Sequence, residues 1–321
     1  MRVAILDDYQ NVALDTADWS AVEAKAELTV FSDHLDDLDD QAERLKPFDV
    51  IVAMRERTPF PAALFERLPN LKLLTTSGMV NRGIDLAAAS AHKVIVSGTQ
   101  STGAGTAELA WGLILSIARN IPGEDRATRD GQWQTGVGVS LHGKTLGVLG
   151  LGKLGSKVAA VGLAMGMKVI AWSQNLTAER CAEIGVTLVS KEDLLRAADV
   201  ISIHVVLSER TRGLLGRAEL ALMKPTAFLI NTSRGPIVDE AALIEALQKG
   251  TIGGAGLDVY AVEPLPLDHP LRTAPRSVIS PHMGYVTDDG YALWFGQCAE
   301  NVAVWLAGEP PLRVLNPDVL T

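Results

Sequence analysis

The sequence predicts an α/β protein of two doubly wound, mostly parallel-sheet domains, and three observations carry that expectation. Short β-branched runs alternate with amphipathic stretches almost throughout, the pattern of helices packed on a parallel sheet. At 321 residues the chain is too long for one ordinary core. A glycine cluster, "GLGKLG" at residues 150–155, falls between a strand candidate and a helix candidate, the order in which a dinucleotide-binding unit is built.

Taken in order, the first hundred residues offer strands at residues 2–6, 28–31, 50–53, 71–75 and 94–96, enough for one small doubly wound domain. The dense acidic run at residues 32–45 reads as a solvated loop and helix face. Residues 106–120, "TAELAWGLILSIARN", form one largely apolar helix, which must be covered on most sides and suits a connector wedged between two domains. The polar, glycine-rich "RDGQWQTGVGVSLHG" then marks a loop. A second strand series follows at residues 145–149, 169–172, 187–189, 200–204, 228–231, 256–259 and 278–280.

Composition narrows the function. A hydrophobic content of 47% argues against disorder, and a formal charge of −9 against a nucleic-acid or anionic-membrane partner. The opening "MRVAILDDYQ" has only a short apolar run before two aspartates, so no signal peptide is expected. The longest apolar helix candidate, residues 109–118, is about half the length a membrane span needs. A cytoplasmic protein is the expectation. Cys181 and Cys298 lie far apart without a metal-binding spacing, so neither a disulfide framework nor a metal site is expected.

The glycine cluster has a mechanical reading. Gly150 makes the turn, Gly152 lets backbone approach a pyrophosphate, and Gly155 lets the helix pack close to the sheet, while the helix N-terminus supplies amide donors and partial positive charge. Ligands of doubly wound sheets bind beyond the carboxyl ends of the strands. Three later strand candidates end there in polar residues: "LINTSRGPIVDE" places Arg234, "GLDVYAVEP" places Asp258 and Glu263, and "SPHMG" places His282. Together they offer a guanidinium for a carboxylate, a carboxylate for an imidazole and an imidazole for a proton.

With "GLGKLG", "ISIHVVLSERTRGLLG", "LINTSRGPIVDE", "GLDVYAVEP" and "SPHMG" in this order, the chain resembles the D-isomer-specific 2-hydroxyacid dehydrogenases. The resemblance implies a flavodoxin-like substrate domain from residues 1–97 and 288–321, a Rossmann dinucleotide-binding domain from 98–287, and an active site in the cleft. It implies Arg234, Glu263 and His282 as the catalytic arginine, glutamate and histidine, with Arg234 and His282 also contacting substrate. Ser77, Gly78 and Met79 match the loop whose backbone amides hold a substrate carboxylate. Cofactor contacts are implied for Gly150, Gly152, Lys153, Leu154 and Gly155 in the turn, and for Ser173 and Gln174 at the next strand end. Thr106, Val205, Thr211, Thr232, Ser233, Asp258 and Gly284 complete that set, Asp258 for the nicotinamide carboxamide. His204 is read as structural.

The cofactor question turns on "AWSQN", where none of Trp172, Ser173, Gln174 or Asn175 carries charge. NAD-specific members place an aspartate near Ser173, which would repel the 2′-phosphate of NADP by roughly 4 kcal/mol for a unit-charge pair near 4 Å at an effective dielectric of 20. Its absence favours NADP with NAD accepted, and Arg180 and Lys153 are the nearest cations. The expected reaction is hydride transfer between NAD(P)H and a 2-keto acid, as in glyoxylate or hydroxypyruvate reductases, by a homodimer. A second class, a dinucleotide-sensing corepressor-like protein of the same fold, is the alternative. A formate dehydrogenase is disfavoured because that branch pairs its histidine with glutamine, where this chain has Glu263.

Overall fold

The computed structural model describes residues 1–320. The chain separates into two compact units, Met1–Thr102 with Val286–Thr321, and Gly103–Tyr285.

In the first unit β1 (Arg2–Ile5), β2 (Glu27–Val30), β3 (Val50–Ala53), β4 (Leu73–Thr76) and β5 (Ile95–Ser97) form one parallel sheet in the order β2-β1-β3-β4-β5. Every residue of β3 and β4 is buried, as expected of strands covered on both faces. Helix Asp288–Leu306 packs on β4, where buried Asn301 donates to Thr75 Oγ1 (3.3 Å) and the Gly98 carbonyl (3.0 Å). The acidic run is more than a solvated face: Asp37 caps helix Leu38–Leu45 by accepting from the Asp39 and Asp40 amides.

The second unit carries β6 (Thr145–Leu149), β7 (Lys168–Trp172), β8 (Thr187–Leu188), β9 (Val200–Ile203), β10 (Phe228–Asn231), β11 (Gly254–Leu257) and β12 (Ser277–Ile279). They are parallel, in the order β12-β11-β10-β9-β6-β7-β8. The strand order reverses between β6 and β9, and the glycine turn leaves β6 at that point, where dinucleotides bind in such sheets.

One expectation is adjusted here. The strand at residues 256–259 begins two residues earlier, at Gly254. Glycine normally weakens a strand, but a Cβ on Gly254 would meet the Arg276 carbonyl oxygen at 2.4 Å and Ile117 Cδ1 at 2.8 Å, and one on Gly256 Leu113 Cβ at 3.0 Å, so the close approach of neighbouring backbone and helix selects glycine. The apolar helix is Ala104–Arg119. It buries Ala107, Ala110, Trp111, Leu113, Ile114 and Ala118, packs on β10, β11 and helix Lys153–Ala164, and donates from Trp111 Nε1 to the Val158 carbonyl at 3.2 Å. Among the described residues no helix is long and apolar enough to cross a membrane.

Candidate active site

The turn after β6 divides its glycines by task. Gly150 has φ 98°, and a Cβ there would meet the His204 carbonyl oxygen at 2.7 Å; one on Gly155 would lie 1.9 Å from the Gly150 oxygen. Both glycines are therefore required by the protein's own backbone. Gly152 is different, because a Cβ there would meet nothing within 4 Å. It faces open space at the start of helix Lys153–Ala164, whose N-cap, a glycine, has no side chain to cap it. A helix N-terminus beside an open glycine is what a pyrophosphate needs. Thr232 Oγ1, just past β10, is buried with no partner, a further group awaiting a ligand. The residues present thus fit a dinucleotide.

Other members of the expected cofactor set are occupied within the protein. Ser233 Oγ donates to the Ile203 carbonyl (2.8 Å). Thr211 Oγ1 accepts from the Ser208 amide (2.8 Å) and donates to the Val206 carbonyl (2.7 Å), closing its own loop after Val205. The Lys153 chain leans on Gly103, with its Cε 3.6 Å from where a Cβ would sit. Beyond β7, Ser173 is half-buried and Gln174 exposed. Arg180 reaches back from its helix to Ser156 Oγ (3.4 Å), one residue past Gly155, while pairing with Glu183 (2.8 Å). His204 Nε2 lies 2.8 Å from Ser202 Oγ, its Nδ1 is buried without a partner, and burial pushes its pKa down to about 4.

The residues expected to serve as acid and base are joined by contacts that can be followed residue to residue. Asn231 donates to the Arg234 carbonyl (3.0 Å) and accepts from the Ser233 amide (3.0 Å), which sets the turn that presents Arg234. Arg234 Nη1 donates to the Ser233 carbonyl at 2.7 Å. Next to it, a Cβ on Gly235 would fall 2.0 Å from the Tyr260 carbonyl carbon, so only glycine lets this turn meet the loop carrying Glu263. The Tyr260 amide donates to Glu263 Oε1 (2.8 Å), and Glu263 Oε2 lies 2.5 Å from His282 Nδ1. His282 Nε2 has no partner among the described residues.

Asp258 anchors this assembly from below. It is buried, with Oδ1 accepting from Ser280 Oγ (2.6 Å) and the Met283 amide (2.8 Å), and Oδ2 from the Gly284 amide (2.9 Å). Burial pushes its carboxyl pKa up, against those hydrogen bonds. Three of its acceptor positions are thus already used on the His282 turn. Thr106 Oγ1 donates to the Gly284 carbonyl at 3.0 Å, on the same turn.

In the first unit, Ser77, Gly78 and Met79 follow β4. Two of the three amides expected to hold a carboxylate are engaged inside this unit. The Ser77 amide donates to the Ala53 carbonyl (3.2 Å) and the Gly78 amide to Thr99 Oγ1 (2.7 Å), which leaves Met79's without a partner among the described residues. Arg55 roofs the loop, its amide donating to Ser77 Oγ (2.8 Å) and its Nη1 to the Ser77 carbonyl (3.2 Å). Sequence reading missed Arg55's contact, Thr99, Ser280, Tyr260 and Tyr285. Only Asn231 carried a local signal, its preference for turns that reach its own following backbone.

A family model described as "D-isomer specific 2-hydroxyacid dehydrogenase, NAD binding domain" matches residues 111–284. The chain is 38% identical over 328 residues to a glyoxylate reductase of Aeropyrum pernix, covering 99% of this chain and 90% of that protein. It is 36% identical to a D-3-phosphoglycerate dehydrogenase of Bacillus subtilis, over 88% of this chain and 54% of that longer protein. A crystal structure of a putative D-3-phosphoglycerate dehydrogenase from Ralstonia solanacearum superposes with a TM-score of 0.93 at 34% identity, covering 100% of this chain and 98% of that one.

Proposed function

The chain belongs to the D-isomer-specific 2-hydroxyacid dehydrogenases, enzymes that use a nicotinamide dinucleotide, and from that premise we propose that it is a cytoplasmic enzyme reducing a small 2-keto acid, of the glyoxylate or hydroxypyruvate kind, to the D-2-hydroxy acid. The observation that carries this reading is the His282–Glu263 pair, held at Nδ1 and open at Nε2. A bound nicotinamide supplies the hydride. Protonated His282 donates from Nε2 to the keto oxygen as it gains negative charge, and Glu263 pairs with the imidazolium and fixes the ring. Arg234 holds the carboxylate and keto oxygen, so that the keto carbon is oriented for transfer. Such a positioned acid is worth roughly a hundred- to ten-thousandfold in rate.

For the dinucleotide, Gly150, Gly152, Lys153, Leu154 and Gly155 hold the pyrophosphate, and Thr232 and Asp258 lie toward the nicotinamide. NADPH is preferred and NADH accepted, because the β7 end presents Ser173 and Gln174 without a repelling carboxylate and Arg180 stands at Ser156. The enzyme is a homodimer through the second unit. Helix Ile121–Arg129 buries none of its residues, and Trp133 (79% exposed) and Val137 follow it uncovered, an apolar arm suited to a second copy.

The test is initial-rate kinetics on glyoxylate, hydroxypyruvate, phenylpyruvate and 2-ketogluconate with each cofactor. Turnover of at least one small 2-keto acid is expected, with kcat/KM higher for NADPH. Arg180→Ala should raise KM for NADPH roughly tenfold and leave NADH unchanged. No turnover on the panel would sink the substrate class, and a clear NADH advantage the cofactor assignment.

A further inference from the structure

His282 is fixed at two points. Its backbone lies in a left-handed turn at φ 52°, held by Asp258 through the Met283 and Gly284 amides and by Thr106 through the Gly284 carbonyl. Its Nδ1 is held by Glu263 at 2.5 Å. One hydrogen bond restrains Nδ1 without locking both side-chain torsions, so libration of the ring still moves Nε2, and its direction is not fully set by these contacts. A third group meets the ring: Tyr285 packs against the imidazole with centroids 5.4 Å apart and planes at 69°, an edge-to-face pair.

We propose that Tyr285 is a positioning residue for the acid–base histidine: its ring, rather than its hydroxyl, holds the imidazole plane so that Nε2 faces the substrate oxygen. The inference rests on the reading of His282 as the proton donor. A ring that swings spends part of its time misaligned, and misalignment lowers the rate of the bound complex without weakening binding.

Tyr285→Ala should lower kcat about tenfold while KM for the 2-keto acid and the Kd for NADPH stay within about twofold; Tyr285→Phe should keep kcat within about twofold of the parent. A second readout needs no turnover. In the cofactor-free protein the proton between His282 Nδ1 and Glu263 should give a far-downfield proton NMR signal in the parent and the Phe variant, and broaden or vanish in the Ala variant. If the Ala variant does not fold, Tyr285→Leu, which keeps most of the volume without the aromatic ring, takes its place with the same expected losses. Unchanged kcat in the Ala or Leu variant, an unchanged proton signal, or a Phe variant as impaired as these would overturn the proposal. Absence of turnover in the parent would strike the functional reading instead, and the NMR comparison would still decide the role of Tyr285.

Discussion

At the scale of single residues, burial decides which polar groups are available to a ligand and which serve the fold. His204 shows the second case. Its pKa is pushed down to about 4 by burial, whereas in the unfolded chain an imidazole titrates at about 6.5. Below the higher value the unfolded state binds more protons, so the neutral buried ring contributes stability that is complete above pH 6.5 and lost as pH falls toward 4. By pH 5 that loss is roughly 2 kcal/mol. The urea midpoint should therefore fall between pH 7 and pH 5 in the parent and fall by visibly less in His204→Gln; parallel pH dependences in the two proteins would show that His204 does not carry the effect. His204 was read as structural through the family resemblance, whose members use backbone at that position, and its burial beside Ser202 is the contact the sequence does not show. Thr99 and Tyr285 were not readable in this way: Thr99 meets the Gly78 amide from a segment about twenty residues on, and Tyr285 meets the His282 ring only because the intervening turn folds the two together, and no periodicity marks such pairs.

Among elements, the glycine turn allows two roles to be separated by experiment. Gly155→Ala puts a Cβ 1.9 Å from the Gly150 oxygen, whereas Gly152→Ala puts one into open space. The first should lower the melting temperature by several degrees, since forcing a helix off its sheet costs on the order of 1–3 kcal/mol. The second should leave melting unchanged and weaken NADPH binding at least about tenfold, because the added methyl stands where phosphate oxygens approach. Equal effects of both changes on melting would refute the division. The strand–glycine–helix order was legible because local chemistry writes it. The start of β11 was not: residues 254–257 are GAGL, whose glycines argue against a strand until Leu113 and Ile117 of the helix behind them are known.

For the whole molecule, alternation and length anticipated an α/β chain with two parallel sheets, while the strand orders and the surface were not legible. Nothing in "RDGQWQTGVGV" separates an ordinary loop from an arm, and only the exposure of Trp133 and Val137 beside a helix with no buried residue singles it out. If that arm seats a second copy, sedimentation should give a dimer, and Trp133→Glu should shift it to monomer with its circular dichroism unchanged; a monomeric parent would remove the arm's assignment. One feature of the larger sheet reaches further. Gly256 admits helix Ala104–Arg119 to within contact of β11 through Leu113, and about 10 Å back along that same helix Thr106 grips the turn of His282. The thickness of a single strand, set by an absent side chain, thereby gauges where the His282 imidazole stands. Drift in rate among relatives could accumulate at such mute positions on the sheet face while every polar group of the reaction stays the same.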